Sequence, residues 1–192
     1  MKAQDYLLAQ ARNNAWSNHR LLAACSGLRQ ETFTASLGGF FGSLRATLNH
    51  ILVVDWYYVD ALEGGSLGAA AWRDEEPCAT VADLQREQAA VDRRLIAFCA
   101  SLDDSAMVAA VRLIRAAGDR IERADRVLLH LFQHQIHHRG QAHGLLSAAS
   151  VAPPQLDEYF LNQDSDLRQS ELKTLGWTEA ELWADWGPPE SV

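Results

Sequence analysis

His130-Leu131-Phe132-Gln133-His134-Gln135-Ile136-His137-His138-Arg139-Gly140-Gln141-Ala142-His143 carries five of the chain's seven histidines. It lies inside a stretch of helical length and spacing, Asp125 to Ala149. On a helix turning about 100° per residue, with His134 at zero, His130 falls at about −40°, His138 at about +40°, Gln141 at about −20° and His137 at about −60°. Val127, Leu131 and Leu145 share this sector, so imidazoles stand in the middle of an apolar face. His143 points the opposite way. Imidazoles at i and i+4 are one turn apart on one face, which lets two ring nitrogens reach one ion. The same spacing fits hydrogen-bonded core histidines, and this helix taken alone does not separate the two readings.

A second helix, expected over Phe41 to Leu62 and stopped by Gly64-Gly65, tips the balance toward metal. His50 shares its face with Ser43, Ala46, Thr47, Val53, Val54, Tyr57 and Ala61, so it also points into the interior. One inward histidine plus an inward i, i+4 pair gives three neutral nitrogen donors. Three protein ligands with a fourth position open describe a catalytic rather than a closed structural site. Asp55 lies about 140° around the helix from His50 and is expected in a salt bridge to another helix. Tyr57 offers either a hydroxyl near the site or a plain core ring. Gln141 is placed to hydrogen-bond a metal-bound water, a ligand imidazole or a neighbouring backbone group. Arg139 reads as a structural or interface residue, and Gly140 as permitting a close helix approach.

Two further helices complete the set. One runs from Ala3 to about Leu28, with Gly27 near its end, and one from Thr80, which with Asp83 resembles a capping box, to about Leu102. Between the last two, Met107 to Arg123 is β-branched and broken by Ala117-Gly118-Asp119, the signature of a small hairpin. Val151-Ala152-Pro153-Pro154 ends the histidine helix. The expected architecture is all-α: a four-helix bundle over residues 1–152, up-and-down or with a crossover in the Gly64–Pro77 loop, and a short helical extension over 153–192. The best-marked tail helix starts at the Thr178/Glu181 capping box, and Trp177, Trp183 and Trp186 are expected to pack the tail onto the bundle.

Composition narrows the function. The 192 residues carry a net charge of −8, unsuited to nucleic acid or anionic lipid. No apolar run approaches the roughly 20 residues that span a bilayer. The opening residues lack a signal-peptide pattern, and Cys25, Cys78 and Cys99 are odd in number with no CxxC. A cytoplasmic protein with three reduced, buried thiols is expected. Arg112, Arg115, Arg120, Arg123 and Arg126 crowd the hairpin, interleaved with Asp119, Glu122 and Asp125. They form either a solvated mixed surface or, for some of them, a greeting for an anionic substrate or thiol at the mouth of the site.

Leu48-Asn49-His50-Ile51 followed by Asp55-Trp56, together with the His134-xxx-His138-Arg139-Gly140-Gln141 string, resembles the DinB family (DinB/YfiT-like metalloenzymes) over about residues 3–150. The resemblance implies a four-helix bundle holding one divalent metal on His50, His134 and His138, with His130 and His137 as extra histidines nearby; by ligand chemistry three imidazoles suit Zn, Ni, Fe or Cu, of which Zn, Ni or Fe is expected. The family includes thiol-dependent transferases and isomerases, so a low-molecular-weight thiol and a small-molecule substrate are implied. Metal-dependent hydrolysis and a non-catalytic metal-binding stress protein are the alternatives. Family members are often dimers. A second apolar sector, Leu128, Leu129, Phe132, Ile136 and Leu146, accords with a homodimer, although a bundle helix needs such width for its own neighbours.

Overall fold

The computed structural model describes residues 2–184 and Trp186. Four long helices, α1 (Ala3–Cys25), α3 (Leu44–Leu62), α4 (Val81–Ala100) and α6 (Ala124–Ala148), form the bundle. Short helices α2 (Gln30–Thr34) and α5 (Asp104–Met107) lie in its connections. The expected hairpin is present: β1 (Ala110–Leu113) pairs antiparallel with β2 (Arg120–Arg123), Val111 opposite Glu122. The tail adds α7 (Ser165–Leu175) and α8 (Glu179–Leu182).

Local chemistry sets the helix ends. Gly42 sits at φ +81°, which stops α3 from starting at Phe41. Ser43 then caps it, its hydroxyl accepting from the Ala46 N–H at 3.1 Å. Helix α1 stops at Cys25, three residues short of the expected Leu28, before Ser26-Gly27. Thr80 caps α4 by accepting from the Asp83 N–H at 3.2 Å. The full reciprocal box forms at Thr178/Glu181. Gly176 closes α7 at φ +75°, and the Trp177 N–H reaches the Leu172 carbonyl at 2.8 Å.

Around the bundle each of α1 and α3 packs on both α4 and α6, so α1 lies diagonal to α3, and α4 to α6. The crossings are therefore residues 26–43 and 101–123, and not the Gly64–Pro77 loop, which joins neighbours. That loop spends its length on a 3-10 turn, Gly68–Trp72. Trp72 packs on the Tyr57 ring, and Gly68, at φ +49°, lies so close to Ile114 that a Cβ there would meet it at 2.8 Å. The loop thus braces the hairpin against the bundle. The tail packs on α1 through Trp16, Tyr159, Leu172 and Leu182, with Trp177 and Trp183 partly buried beside them and the Trp186 ring against Tyr6 and Trp183.

The centre of the bundle is polar. Arg139, on α6, is 4% exposed and donates to Asn14 Oδ1 (2.5 Å) and Asn18 Oδ1 (2.9 Å) of α1. The Asn14 and Asn18 amides donate to Asp92 of α4. Gln88 donates to both Asp92 (3.2 Å) and Asp55 of α3 (2.7 Å), and Gln135 of α6 donates to the other Asp55 oxygen. Among the described residues Asp55 thus makes no ion pair within 4 Å, against the expected salt bridge; two carboxamides hold it instead. Arg139 is structural, as read. Gly140 brings no close approach, since nothing lies within 4 Å of where its Cβ would be.

Burial pushes both Asp55 and Asp92 up, Asp55 further because Asp92 stands beside it, while burial lowers Arg139 to about 10. One guanidinium faces two carboxyls, which favours a proton shared by the pair. Arg139→Met removes the only buried cation from this network and is expected to cost about 3–5 kcal/mol in urea denaturation. Arg139→Lys recovers part of that loss. Asp55→Asn, which keeps a neutral polar group, costs less than Arg139→Met.

Candidate metal centre

The bundle brings His50, from α3, against His134 and His138, from successive turns of α6. One ring nitrogen from each lies within 4.8 Å of the others. The His50 and His134 Nε2 atoms are 3.1 Å apart. Two nitrogens on one tetrahedral ion, at about 2.0–2.1 Å each, stand about 3.3 Å apart, so the spacing fits ligation. The rings pack as a triad, with centroids 4.3 Å apart for His134–His138 and 4.6 Å for His50–His138.

The imidazoles are neutral over the physiological range. Burial, then the neighbouring His138, lowers His50 to about 4. Burial, then His138 and His50, lowers His134 to about 3. Burial also lowers His138, against a raising hydrogen bond from Gln141. Metal binds only the neutral ring, so at neutral pH the site has no protons to expel.

Gln141 fixes one tautomer. Its Oε1 accepts from His138 Nδ1 at 2.9 Å, which leaves His138 Nε2 free, and its amide donates to His137 Nε2 at 3.1 Å. Of the roles open to Gln141, the structure has it bonding a candidate ligand imidazole. His134 Nδ1 is buried with no partner among the described residues, so apart from the His50 contact through Nε2 its ring is held by packing. His143 faces away and donates to the Pro154 carbonyl at 2.7 Å.

His130 and His137 are exposed rather than centred on the apolar face. The His130 ring stands edge-on to Tyr58 at 5.2 Å and lies 6.5 Å from His134, outside the triad. The helical wheel places His130 on the right side of α6, but near its start that side faces the hairpin and solvent. Tyr57 also stays apart: its hydroxyl is buried without a partner among the described residues, and its ring packs on Trp72 and Tyr58.

Two features escape the sequence reading. Phe41 lies over the His50 ring at 4.3 Å and 30°, and 5.4 Å from His138. Beside His50 opens a cavity of about 300 Å³ walled by Phe41, Val53, Trp72, Glu75 and Glu76. Gly38-Gly39-Phe40-Phe41-Gly42, an aromatic pair between glycines at positive φ, is the signal that could have revealed this cover. Phe40, by contrast, is 82% exposed. The three cysteines are buried, and burial holds Cys25 and Cys99 at about 12 and Cys78 at about 11, so none supplies a thiolate near neutrality. Among the described residues no helix is long and apolar enough to cross a membrane.

A three-histidine cluster on the second and fourth bundle helices, with a cavity at its edge, is what the histidine strings pointed to. No curated protein sequence matches the chain. The family model described as DinB family matches residues 1–171, which takes in the whole bundle and most of α7. The chain belongs to the DinB family.

Proposed function

We propose that this chain is a metal-dependent enzyme that holds one divalent ion, Zn, Ni or Fe, on His50, His134 and His138 and acts on a small molecule seated in the cavity beside His50. The observation that carries this reading is the convergence of three neutral imidazoles, two of them 3.1 Å apart, one of which, His50, also stands in the wall of a cavity. When bound, a divalent ion on three imidazoles lowers the pKa of a coordinated thiol or water into the neutral range. The chain's own residues supply the rest. Gln141 holds His138 with Nε2 forward. Phe41 covers His50 and keeps bulk water from the rings. Trp72 and Val53 seat an apolar portion of the substrate.

We assign the nucleophile to an external low-molecular-weight thiol and the reaction to thiol transfer or isomerisation. The support is that the protein's own thiols are buried and held protonated. A thiol-transfer screen on the metal-loaded protein, run beside an esterase and amidase screen without thiol, decides the reaction. Turnover only in the second arm would replace the transferase reading with hydrolysis. A fully loaded protein inactive in both arms would favour a metal-binding protein without catalysis.

His50→Ala, His134→Ala and His138→Ala should each abolish stoichiometric metal by elemental analysis, whereas His130→Ala and His143→Ala keep it. Gln141→Leu should weaken metal binding by about tenfold or more, because it releases the His138 tautomer. Full metal in all three ligand variants would sink the site.

Chelation gives an independent check with a definite sign. His50 and His134 have folded values below the unfolded value of about 6.5, so their contribution to stability is present above that pH. It is lost as pH falls from about 6.5 toward 4 and 3. The metal-free protein therefore melts at lower temperature in acid whether or not it ever binds metal. The distinguishing quantity is the melting difference made by a chelator. It should be large at about pH 7.5, where the ion stabilises the folded state by mass action, persist at about pH 5, and shrink only as pH falls through about 4 and 3, where His50 and His134 take up protons. Equal melts at the higher pH, with metal removal verified, would leave three ordinary core histidines.

We also propose a homodimer through the outer face of α6. Leu128, Phe132 and Leu146 are buried within the bundle, but Leu129 and Ile136, two turns apart, are 57% and 51% exposed. Light scattering at micromolar concentration should give twice the chain mass, and Ile136→Glu should return it to one chain. A single-chain mass for the unmodified protein would refute this assembly.

A further inference from the structure

The five arginines around the hairpin divide into two groups. Arg112 is paired with Asp119 at 2.5 Å and Arg123 with Asp125 at 2.6 Å, while Arg120 donates to the Asp119 carbonyl at 3.1 Å. Arg115 and Arg126 make no ion pair among the described residues. Arg115 touches only the Tyr58 hydroxyl, at 3.5 Å, and the Arg126 guanidinium has no hydrogen-bond partner there. Both line one groove of about 230 Å³, together with Tyr58, Glu122 and His130. A cation left without a partner at the wall of a groove is in place for a ligand's anion.

The groove is built rather than incidental. Its floor is apolar, with Leu113 and Val127 each 3% exposed and Tyr58 8% exposed. An apolar floor weakens the screening of charges held above it. Arg115 is set by its neighbour Ile114, which is braced on Gly68. Arg126 rides on the first turn of α6, the helix that also presents His130, His134 and His138. His130 is one turn before His134, and their rings are 6.5 Å apart. Of the groove's lining residues, His130 is the one that neighbours the triad, and the groove shares no lining residue with the cavity beside His50.

We propose that Arg115 and Arg126, with His130, form a subsite for the carboxylate end, or another singly charged acidic end, of a thiol whose sulfur reaches the three histidines, a molecule separate from the one seated in the cavity beside His50. Guanidinium binds carboxylate bidentately, which fixes orientation as well as charge. Glu122 also faces the groove, and it decides the ligand's charge. Two guanidiniums and one carboxylate leave a single net positive charge, suited to one acidic group and unfavourable to a polyphosphate. The position of the reacting end rests on the three-histidine reading; the subsite itself does not.

Two measurements separate the two claims. In the first, chelator-treated protein is titrated with propionate at constant ionic strength and followed by amide NMR. Saturable shifts confined to the hairpin and the start of α6 are expected in the unmodified protein and in Arg112→Ala, whose arginine is already paired. The Arg115→Ala/Arg126→Ala double variant should bind propionate about tenfold more weakly or worse. Shifts that are non-saturable, or equal in all three proteins, overturn the subsite.

In the second measurement, the cobalt(II)-loaded protein is titrated with mercaptopropionate and with mercaptopropanol, and the thiolate-to-metal absorption is read. The carboxylate thiol should bind about tenfold more tightly than the alcohol, and the double variant should erase that difference while leaving mercaptopropanol unchanged. Equal affinity for the two thiols in the unmodified protein overturns the link between subsite and metal. Absence of the absorption band with either thiol overturns the thiol-binding metal site, and the propionate result still stands or falls by itself.

Discussion

Arg139 stands in the middle of a helical bundle with two buried carboxyls near it, and the arrangement of the four helices follows from where that guanidinium can be satisfied. Its donors reach α1, and the asparagines they meet pass the contact to Asp92 on α4. Gln88 carries it to Asp55 on α3, and Gln135 returns it to α6. A buried ionic network adds little net stability over a well-packed apolar core, but misplacing one member leaves an unpaired charge in a dry interior. Apolar side chains tolerate small rotations of a helix about its axis. Arg139, Asp55 and Asp92 do not, so the network acts as a register.

That register serves the histidines directly. Gln135 follows His134 and Arg139 follows His138, so each residue bonded into the network neighbours one that faces the triad. Residues adjacent in sequence point about 100° apart on a helix, so tying Arg139 to α1 and Gln135 to Asp55 fixes the rotation of α6 and with it the direction of His134 and His138. Asp55 does the same for α3, one and a half turns after His50. The two ligand-bearing helices are thus joined by the Asp55–Gln135 bond independently of any ion, and the triad is held open by a framework that metal need not assemble. The covering Phe41 and the braced hairpin are added to the two ends of this frame by loops rich in glycine at positive φ.

Much of this can be read from the chain. The long amphipathic stretches, the Gly118 turn and the Thr178 box have local causes, so the helices, the hairpin and a tail helix are visible in sequence. The pairing of His50 with the His134/His138 turn was also visible, because inward imidazoles on apolar faces are rare enough to seek one another. The central network was not. Asn14, Asn18, Gln88 and Asp92 share helical spacing with the apolar Leu7, Ala11, Leu21, Leu84, Val91 and Leu95, but nothing local names their partners, and only packing shows that their side chains meet. Helix adjacency was equally hidden: loop length permits a crossover at Gly64–Pro77, yet the packing of Trp72 and Gly68 uses that length locally. His130 shows a third limit. A wheel gives direction around an axis but not how far along it the neighbouring helix extends.

The diagonal order of the helices also bears on when the triad can exist during synthesis. His50 emerges early, yet its partners His134 and His138 lie on the last bundle helix, 84 and 88 residues later. While α1, α3 and α4 are already available to one another, Asp55 and Asp92 have no Arg139, and the seam that α6 will fill is still apolar and open. A ribosome-bound chain at that stage offers an ion one solitary imidazole, which holds it weakly. On the proposed metal reading, capture of the ion belongs to the nearly finished chain, and the closing of the bundle by α6 and the assembly of the three histidines are one event.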